Sequence, residues 1–270
     1  MNSKTRTSLF VIGMLACAAF SKDNATNDGV LLKADYAGKQ QWKYAVEYTS
    51  QGNFRQKSSN TAKATEIRCM LAGSKKDKKI FLVKADSVTV KSDIYSAELQ
   101  KEIRDQLTKA DYSLSLANGF PSIDTSAKMP ASGYLEWDLY RQLSKLLPVL
   151  PVKPVKPGFT WERTDMFPMQ TPAGKVSCEV YRNYAFYRLS GDTAMVRWKF
   201  RYSGGGKAQD SATALGRIPV YGTGNGSAVI DIKNGCILNA EMNFTTPVAV
   251  VGDVSIVWHE NAVIKLVEEK

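Results

Sequence analysis

The chain has 270 residues, a formal net charge of +10, 44% hydrophobic residues and a single histidine. One histidine is too few for an ordinary zinc site with histidine ligands, and no two of the four cysteines are spaced as CxxC. The densest basic run, residues 75–79, lacks the interleaved aromatic residues of a nucleic-acid site. We therefore expect no metal, no cofactor and no nucleic-acid partner in a chain long enough for one large or two small domains.

The N-terminal 21 residues have the layout of an export signal. Lys4 and Arg6 precede an uncharged apolar run, residues 8–20, and Lys22 ends it. The run is shorter than the about 20 residues that a membrane-spanning helix needs. Residues 1–21 are therefore predicted to be a signal peptide, and no later run predicts a transmembrane helix in the mature chain.

Two ways of processing this signal remain open. The small residues Ala19 and Ser21 allow cleavage before Lys22, which would release the protein. Met14 to Cys17 instead resembles a bacterial lipobox, in which the Cys17 thiol is acylated and anchors the chain to a membrane. Both alternatives predict an exported protein, in the periplasm or anchored to the cell envelope of a bacterium.

Strands are predicted in the first half of the mature chain, residues 22–147. Apolar and polar side chains alternate there, which is the pattern of half-buried strands. The apolar positions are Trp42, Tyr44, Val46 and Tyr48, then Ile67, Cys69 and Leu71, and residues 80–90 carry one further strand or two.

Helices are predicted in two places of the same half. Leu99, Ile103 and Leu107 stand at helical spacing and predict an amphipathic helix over residues 93–109, capped by Ser92 or Asp93. Leucines at similar spacing predict a second helix over residues 133–147, and Pro148 ends it because proline has no N–H to donate.

The connector, residues 148–158, carries a proline at every third position. Polyproline II has three residues per turn, so these prolines would line one face of a straight rod. The prolines are Pro148, Pro151, Pro154 and Pro157, and the valines expected against the core are Val149, Val152 and Val155. We interpret the segment as a strut within the molecule. The alternative, a PxxP ligand for an aromatic groove, is disfavoured because such grooves serve mainly intracellular signalling.

The second half, residues 159–270, is predicted to be antiparallel throughout. Alternation covers residues 176–188, 195–202, 227–232, 237–244 and 254–267, with a turn at residues 190–192. Asn234-Gly235 predicts a hairpin with a type I′ turn. The Asn-Gly pairs 118–119 and 234–235 and the tryptophans Trp42 and Trp161 stand at similar offsets, which leaves internal duplication and chance as alternatives.

Few residues are candidates for chemistry. The lone His259 is interpreted as a packing or surface residue of a strand, and Gly222, Gly224 and Gly226 as a turn or sheet bend, because no helix follows them to form a phosphate site. Cys69, Cys178 and Cys236 lie in apolar segments and are interpreted as buried thiols, with one disulfide as the alternative. No catalytic, cofactor or metal residue is predicted, and Cys17 is the only modification candidate.

The motifs "VKPGFTW" and "GTGNGSAVIDIKNGCIL", with Gly158, Trp161, Asp231 and Gly235, resemble an uncharacterised family of exported bacterial β-rich proteins. The resemblance implies a fold akin to the periplasmic lipoprotein carriers, which hold acyl chains in a curved half-barrel.

We therefore expect an α+β protein with a strongly curved antiparallel sheet, of half-barrel or sandwich type, and two helices. The expected function is that of a non-catalytic envelope protein that binds a partner or an envelope component. The alternative is a carrier or sensor of a lipid or another apolar ligand.

Overall fold

The computed structural model describes residues 29–34, 41–56, 59–75, 80–109, 111–115, 122–125, 147–171, 174–206, 218–249 and 255–269. These residues form eleven strands and one helix. The strands are Gln41–Gln56 (β1), Ser59–Lys75 (β2), Ile80–Ser92 (β3), Asp111–Ser115 (β4), Ser122–Thr125 (β5), Thr160–Thr171 (β6), Gly174–Ser190 (β7), Thr193–Gly206 (β8), Ile218–Asp231 (β9), Cys236–Ala249 (β10) and Ser255–Glu269 (β11), and the helix is Ala97–Lys109 (α1). The signal-peptide prediction, with Cys17, lies outside the described residues.

All the described strands belong to one antiparallel sheet with the order β5-β4-β3-β2-β1-β11-β10-β9-β8-β7-β6. Each half of the chain is a meander of neighbouring strands, and the pairing of β1 with β11 joins the two meanders. Tyr48, for example, lies opposite Ala262 on one side and Ile67 on the other. The N-terminal and C-terminal strands therefore lie side by side at the centre of the sheet.

The described sheet is open, because β5 and β6 stand at opposite ends of the strand order and do not pair within the described residues. Twisted sheets of about ten strands or more usually curl. Buried side chains from both meanders belong to one hydrophobic cluster, which a curved sheet can form by folding its apolar face inward. The predicted antiparallel sheet is confirmed, and the arrangement fits the predicted curved sheet.

Helix α1 confirms the face predicted from sequence. Ile103 and Leu107 are buried, Leu99 is half-buried, and α1 lies against β3. Of the second predicted helix, residues 133–147, only Leu147 is described, and it lies in a bend. The description therefore contains one helix where the sequence predicted two. Within the described residues, the chain has no helix with the length and apolarity needed to cross a membrane.

The start of α1 was predicted four residues too early. Ser96, rather than Ser92 or Asp93, is the cap, because its Oγ accepts the N–H of Leu99 at 3.3 Å. The Ser92 hydroxyl instead accepts the N–H of Ile94 at 3.0 Å. Ser92 thus closes a local turn, and this turn delays the helix.

The hairpin between β9 and β10 is present, but its turn is not type I′. A type I′ turn needs positive φ at both central residues, whereas Gly235 has φ 62° and Asn234 does not have positive φ. The loop is four residues long, and the Asp231 carboxylate closes it by accepting the N–H groups of Lys233 and Asn234, both at 2.9 Å. The Asn118-Gly119 pair lies outside the described residues.

The segment at residues 80–90 is one strand, not two. β3 has a bulge opposite residues 68–70 of β2. Ser87, within this bulge, adopts φ 51°. The turn predicted at residues 190–192 is confirmed as a two-residue loop in which Gly191 has φ 53°.

The proline-rich connector is folded against its own molecule, but it is not a straight rod. It bends at residues 152–153, so Val155 is buried and Val149 half-buried while Val152 is 70% exposed. Val155 exchanges two backbone hydrogen bonds with Val30, each 2.8 Å long. Pro157 and Gly158 then form a turn in which Gly158 has φ 91°, as position i+2 of a type II turn requires.

Candidate binding face

One side of the sheet is buried and the other is exposed, and we call them the inner and outer faces. The inner face is almost entirely apolar. Its buried hydrophobic residues are Trp42, Tyr44, Val46, Tyr48, Ile67, Cys69, Leu71, Val83, Ala85, Val180, Tyr184, Phe186, Ala194, Val196, Trp198, Phe200, Tyr202, Ala228, Ile230, Ala240, Met242, Phe244, Ala262 and Ile264. The described residues contain only three buried polar side chains, namely Ser50, Thr65 and Arg182.

Three glycines of β9 lie under three aromatic rings of β8. In the register of the two strands, Trp198 is opposite Gly226, Phe200 opposite Gly224 and Tyr202 opposite Gly222. A Cβ atom at any of these glycines would collide with the opposite ring. The rings therefore occupy the space over β9 that side chains at these glycines would fill, in the way that aromatic residues cover glycines on sheets.

The alternative that these glycines form a turn was wrong, because Gly222, Gly224 and Gly226 stand inside β9. The signal that could have shown this is the shared period of two. Glycines at i, i+2 and i+4 on one strand match aromatic residues at i, i+2 and i+4 on the strand before it. Aromatic residues on one strand and glycines on the next, at the same spacing of two, predict that the rings pair with the glycines across the two strands.

A second aromatic stack runs across β6, β7 and β8. The rings of Trp161 and Tyr184 lie parallel with centroids 5.3 Å apart, and Trp198 follows Tyr184 at 6.0 Å. Trp161 Nε1 donates to the Val149 carbonyl oxygen at 2.8 Å. Burial raises the pKa of Tyr184, although the nearby Arg182 and a hydrogen bond from the Val149 backbone oppose the rise. The stack thus fixes the proline-rich connector to the sheet.

Within the described residues, the inner face carries a largely buried ion pair, which the sequence analysis missed. Arg182 Nη1 lies 2.6 Å from Asp165 Oδ2, and Arg163 Nε lies 3.0 Å from Asp165 Oδ1. Arg182 continues the alternation that runs through Tyr184 and Phe186, so the pattern alone placed its side chain on the apolar side. A charged side chain on the apolar side needs an oppositely charged partner. Asp165 on the adjacent strand β6 is that partner.

A polar patch stands on the inner face where β11, β1 and β2 meet. Ser50 lies opposite Glu260 on β11 and Thr65 on β2. The Thr65 hydroxyl is 2.7 Å from that of Ser92, whereas the Ser50 hydroxyl has no hydrogen-bond partner within the described residues. A buried hydroxyl without a partner costs folding free energy, so its presence calls for an explanation.

His259 stands on the outer face of β11 and is exposed. Its Nδ1 is 3.1 Å from the Thr245 hydroxyl, which agrees with its interpretation as a surface residue of a strand. Cys69 and Cys236 are buried thiols and not halves of a disulfide, and burial raises the pKa of the Cys69 thiol to about 12. Cys178 lies in β7, and its side chain lies outside the description.

No protein-family model matches the sequence, and no curated protein matches it. Among solved structures, the chain is similar to lipovitellin, in a structure described in terms of its lipid–protein interactions, with a TM-score of 0.55 and 10% identity. The match covers 87% of this chain and 26% of the lipovitellin chain. This chain therefore spans about a quarter of the length of the protein that it matches, and the likeness is one of fold alone.

Two smaller bacterial proteins match with much lower scores. One is a DUF1329 family protein from Desulfovibrio piger, with a TM-score of 0.22, 9% identity and 87% coverage of both chains. The other is a candidate outer membrane lipoprotein-sorting domain from Vibrio parahaemolyticus, with a TM-score of 0.19, 10% identity and 84% coverage of both chains. TM-scores this low do not establish a shared fold.

Proposed function

We propose that this chain is a non-catalytic protein of the cell envelope that binds an apolar ligand with one polar end, such as a fatty acid or a lipid acyl chain, on the inner face. The observation that carries the proposal is the chemistry of that face. It is apolar and aromatic over both meanders, and the buried hydroxyl of Ser50 is left without a hydrogen-bond partner within the described residues.

The polar patch around Ser50 would receive the polar end of the ligand. Apolar binding sites take their affinity from hydrophobic and aromatic walls and their orientation from a few polar groups. Here the aromatic rings of Phe244 and Phe200, with centroids 5.9 Å apart, belong to the walls. The fold likeness to lipovitellin supports the proposal without assigning the ligand.

The inner side chains are already buried, so a ligand reaches them only when part of their cover moves. The described cover consists of α1, residues 29–34 and the proline-rich connector. A direct test begins with native mass spectrometry of the protein purified without detergent. We expect a co-purified lipid mass that organic extraction removes, and the same spectrum would show whether Cys17 carries acyl chains.

The second test uses the extracted protein and a pyrene-labelled fatty acid, followed by energy transfer from tryptophan. We expect saturable binding, and Ser50→Ala should weaken it roughly three- to ten-fold, which is the value of one hydrogen bond. The free energy of unfolding should stay equal or rise slightly, because an unsatisfied hydroxyl is removed.

The matched control is Thr49→Ala, which removes a hydroxyl from the adjacent, exposed position of β1 and should change neither quantity. Two results would contradict the proposal. One is the absence of both co-purified lipid and probe binding, and the other is equal affinity in Ser50→Ala and the unmodified protein.

A further inference from the structure

The outer face of β8 carries three cations in a row. Arg197, Lys199 and Arg201 alternate with the inner-face aromatic residues and are all exposed. We call these three residues the cationic strip. Strand geometry spaces their Cα atoms about 7 Å apart, so the strip presents positive charge along one straight line.

Aromatic rings of β7 stack on two residues of the strip. The Arg197 guanidinium lies 3.6 Å from the ring centroid of Tyr187, and that of Arg201 lies 4.9 Å from Tyr181, both on β7. None of the three cations forms an ion pair within the described part of the chain. A guanidinium that is stacked on a ring keeps its charge and its outward N–H groups available to an anion.

The outer face of the other meander is different. On β1 and β2, Arg68 lies between Glu47, 3.6 Å away, and Glu66. The charge of Arg68 is therefore paired within the protein. Beside the strip, the facing residues of β9 are uncharged, namely Thr223, Asn225 and Ser227. The carboxylates on the other side, Glu162 and Glu179, lie on β6 and β7.

Apolar side chains frame the strip on the same face. Met166 on β6 and Tyr221 on β9 are 65% and 49% exposed and stand in one cross-strand row with Glu179 and Ser203. Tyr187, near the other end of β7, is 53% exposed. Exposed tyrosines beside arginines and lysines are typical of surfaces that sit at a membrane–water interface.

We propose that the outer face of β6 to β9 docks on a membrane surface that contains anionic phospholipids, with the cationic strip facing the headgroups. Charge complementarity favours an anionic surface, and the exposed Met166, Tyr187 and Tyr221 favour a membrane over a soluble polyanion. The strip lies on the face opposite to the proposed ligand site, so docking does not depend on ligand binding.

The test is sedimentation of the purified protein with vesicles of phosphatidylcholine alone or mixed with phosphatidylglycerol. We expect binding to the anionic vesicles that weakens with added salt. The triple variant R197Q/K199Q/R201Q should bind about a hundred-fold more weakly, since each basic residue near such a surface contributes on the order of a tenfold effect or less. Its melting temperature should fall only slightly, because the three side chains are exposed and the variant loses only two exposed cation–π contacts.

The matched control removes three cations elsewhere on the outer face, K84Q/K91Q/K265Q, and should retain most of the binding. The variant Y187S/Y221S should weaken binding to vesicles but not to dextran sulfate. An acyl anchor on Cys17 would bind every variant equally, and neutral vesicles as well, so it cannot mimic these differences.

Three outcomes would overturn the proposal. The first is that the unmodified protein does not sediment with anionic vesicles. The second is that the control triple loses as much binding as the strip triple, which would assign the effect to net charge. The third is tight binding to dextran sulfate without vesicle binding, which would identify a polyanion as the occupant.

Discussion

The two meanders fill the same inner face by different means. At the β1–β2 pair, among the described side chains, Trp42 lies over a glycine, Gly73, and the next inner-face pair is Tyr44 with Leu71. At the β8–β9 pair, three successive aromatic residues lie over three successive glycines.

The segments that pack over the inner face also differ between the two meanders. The first meander has a helix, α1, packed against β3, whereas the second carries the aromatic stack and the proline-rich connector. A helix supplies aliphatic side chains from outside the sheet. In the second meander, aromatic rings of β8 placed over glycines of β9 supply apolar surface from the sheet itself. The packing of the second meander therefore depends on the register between these two strands.

The largest expected effect is the loss of a ring from the second meander. Trp198→Ala should lower the free energy of unfolding by about 3–5 kcal/mol, because it removes a buried ring from both Gly226 and Tyr184. Ile103→Ala in α1 should cost about 2–3 kcal/mol, toward the lower end of the range for such truncations. Urea unfolding followed by circular dichroism measures both. A larger cost at Ile103 would reverse the contrast between the meanders.

A smaller effect is expected from adding a methyl group under a ring. A Cβ atom at Gly226 would meet the Trp198 ring and also the Glu241 backbone oxygen at 2.8 Å, whereas at Gly73 the nearest atoms all belong to the Trp42 side chain. Backbone cannot move aside as a side chain can. Gly226→Ala should therefore cost about 2–3 kcal/mol and Gly73→Ala about 1 kcal/mol.

Thermal melts of the two alanine variants would decide this prediction. Alanine normally stabilises a strand relative to glycine by about 0.5–1 kcal/mol. A net gain in stability at Gly226 would show that the Trp198 ring does not lie over that position.

The smallest expected effect concerns the hairpin loops of the second meander. Asp231→Ala should lower the free energy of unfolding by about 1 kcal/mol at neutral pH, because the loop N–H groups of Lys233 and Asn234 lose their acceptor. Asp192→Ala, in the two-residue loop that Gly191 shapes, is the control and should be nearly neutral.

The effect at Asp231 should depend on pH. Burial tends to raise the pKa of this carboxyl, but the hydrogen bonds from Asn234 and Lys233 outweigh burial and lower the pKa from its ordinary value of 3.8. A lowered pKa contributes stability that is present above pH 3.8 and lost as the pH falls through the lower folded-state value. Denaturant curves at pH 7 and below pH 3 should therefore show the difference between Asp231→Ala and the unmodified protein shrinking in acid.

Much of the secondary structure could be predicted from local periodicity. The alternation at Trp42, Tyr44 and Val46 and the helical spacing of Ile103 and Leu107 each reflect contacts that neighbouring residues make with one surface. The turn at Asn234 was recognised but given the wrong type, because the carboxylate of Asp231 supplies hydrogen bonds that dipeptide preference does not include.

The candidate site could not be predicted from the same patterns. Ser50 and Arg182 occupy alternating positions like their neighbours, and only the adjacent strands decide that one hydroxyl lacks a partner while one guanidinium meets Asp165. The cationic strip was visible as Arg197, Lys199 and Arg201 on one side of a strand. The tyrosines stacked on it come from β7. The sequence predicted the turn between β7 and β8, but not the register that brings these rings to the strip.

The sequence by itself determined the period of each strand, the apolar face of α1 and the position of the main turns, because those properties depend on residues a few positions apart. The tertiary structure alone decided the strand order, with β1 beside β11, and the register that places Gly226 under Trp198. The physical reason is that hydrogen bonds between strands are alike at every residue, so the pairing is chosen by how side chains distant in sequence fit together in one curved, buried face.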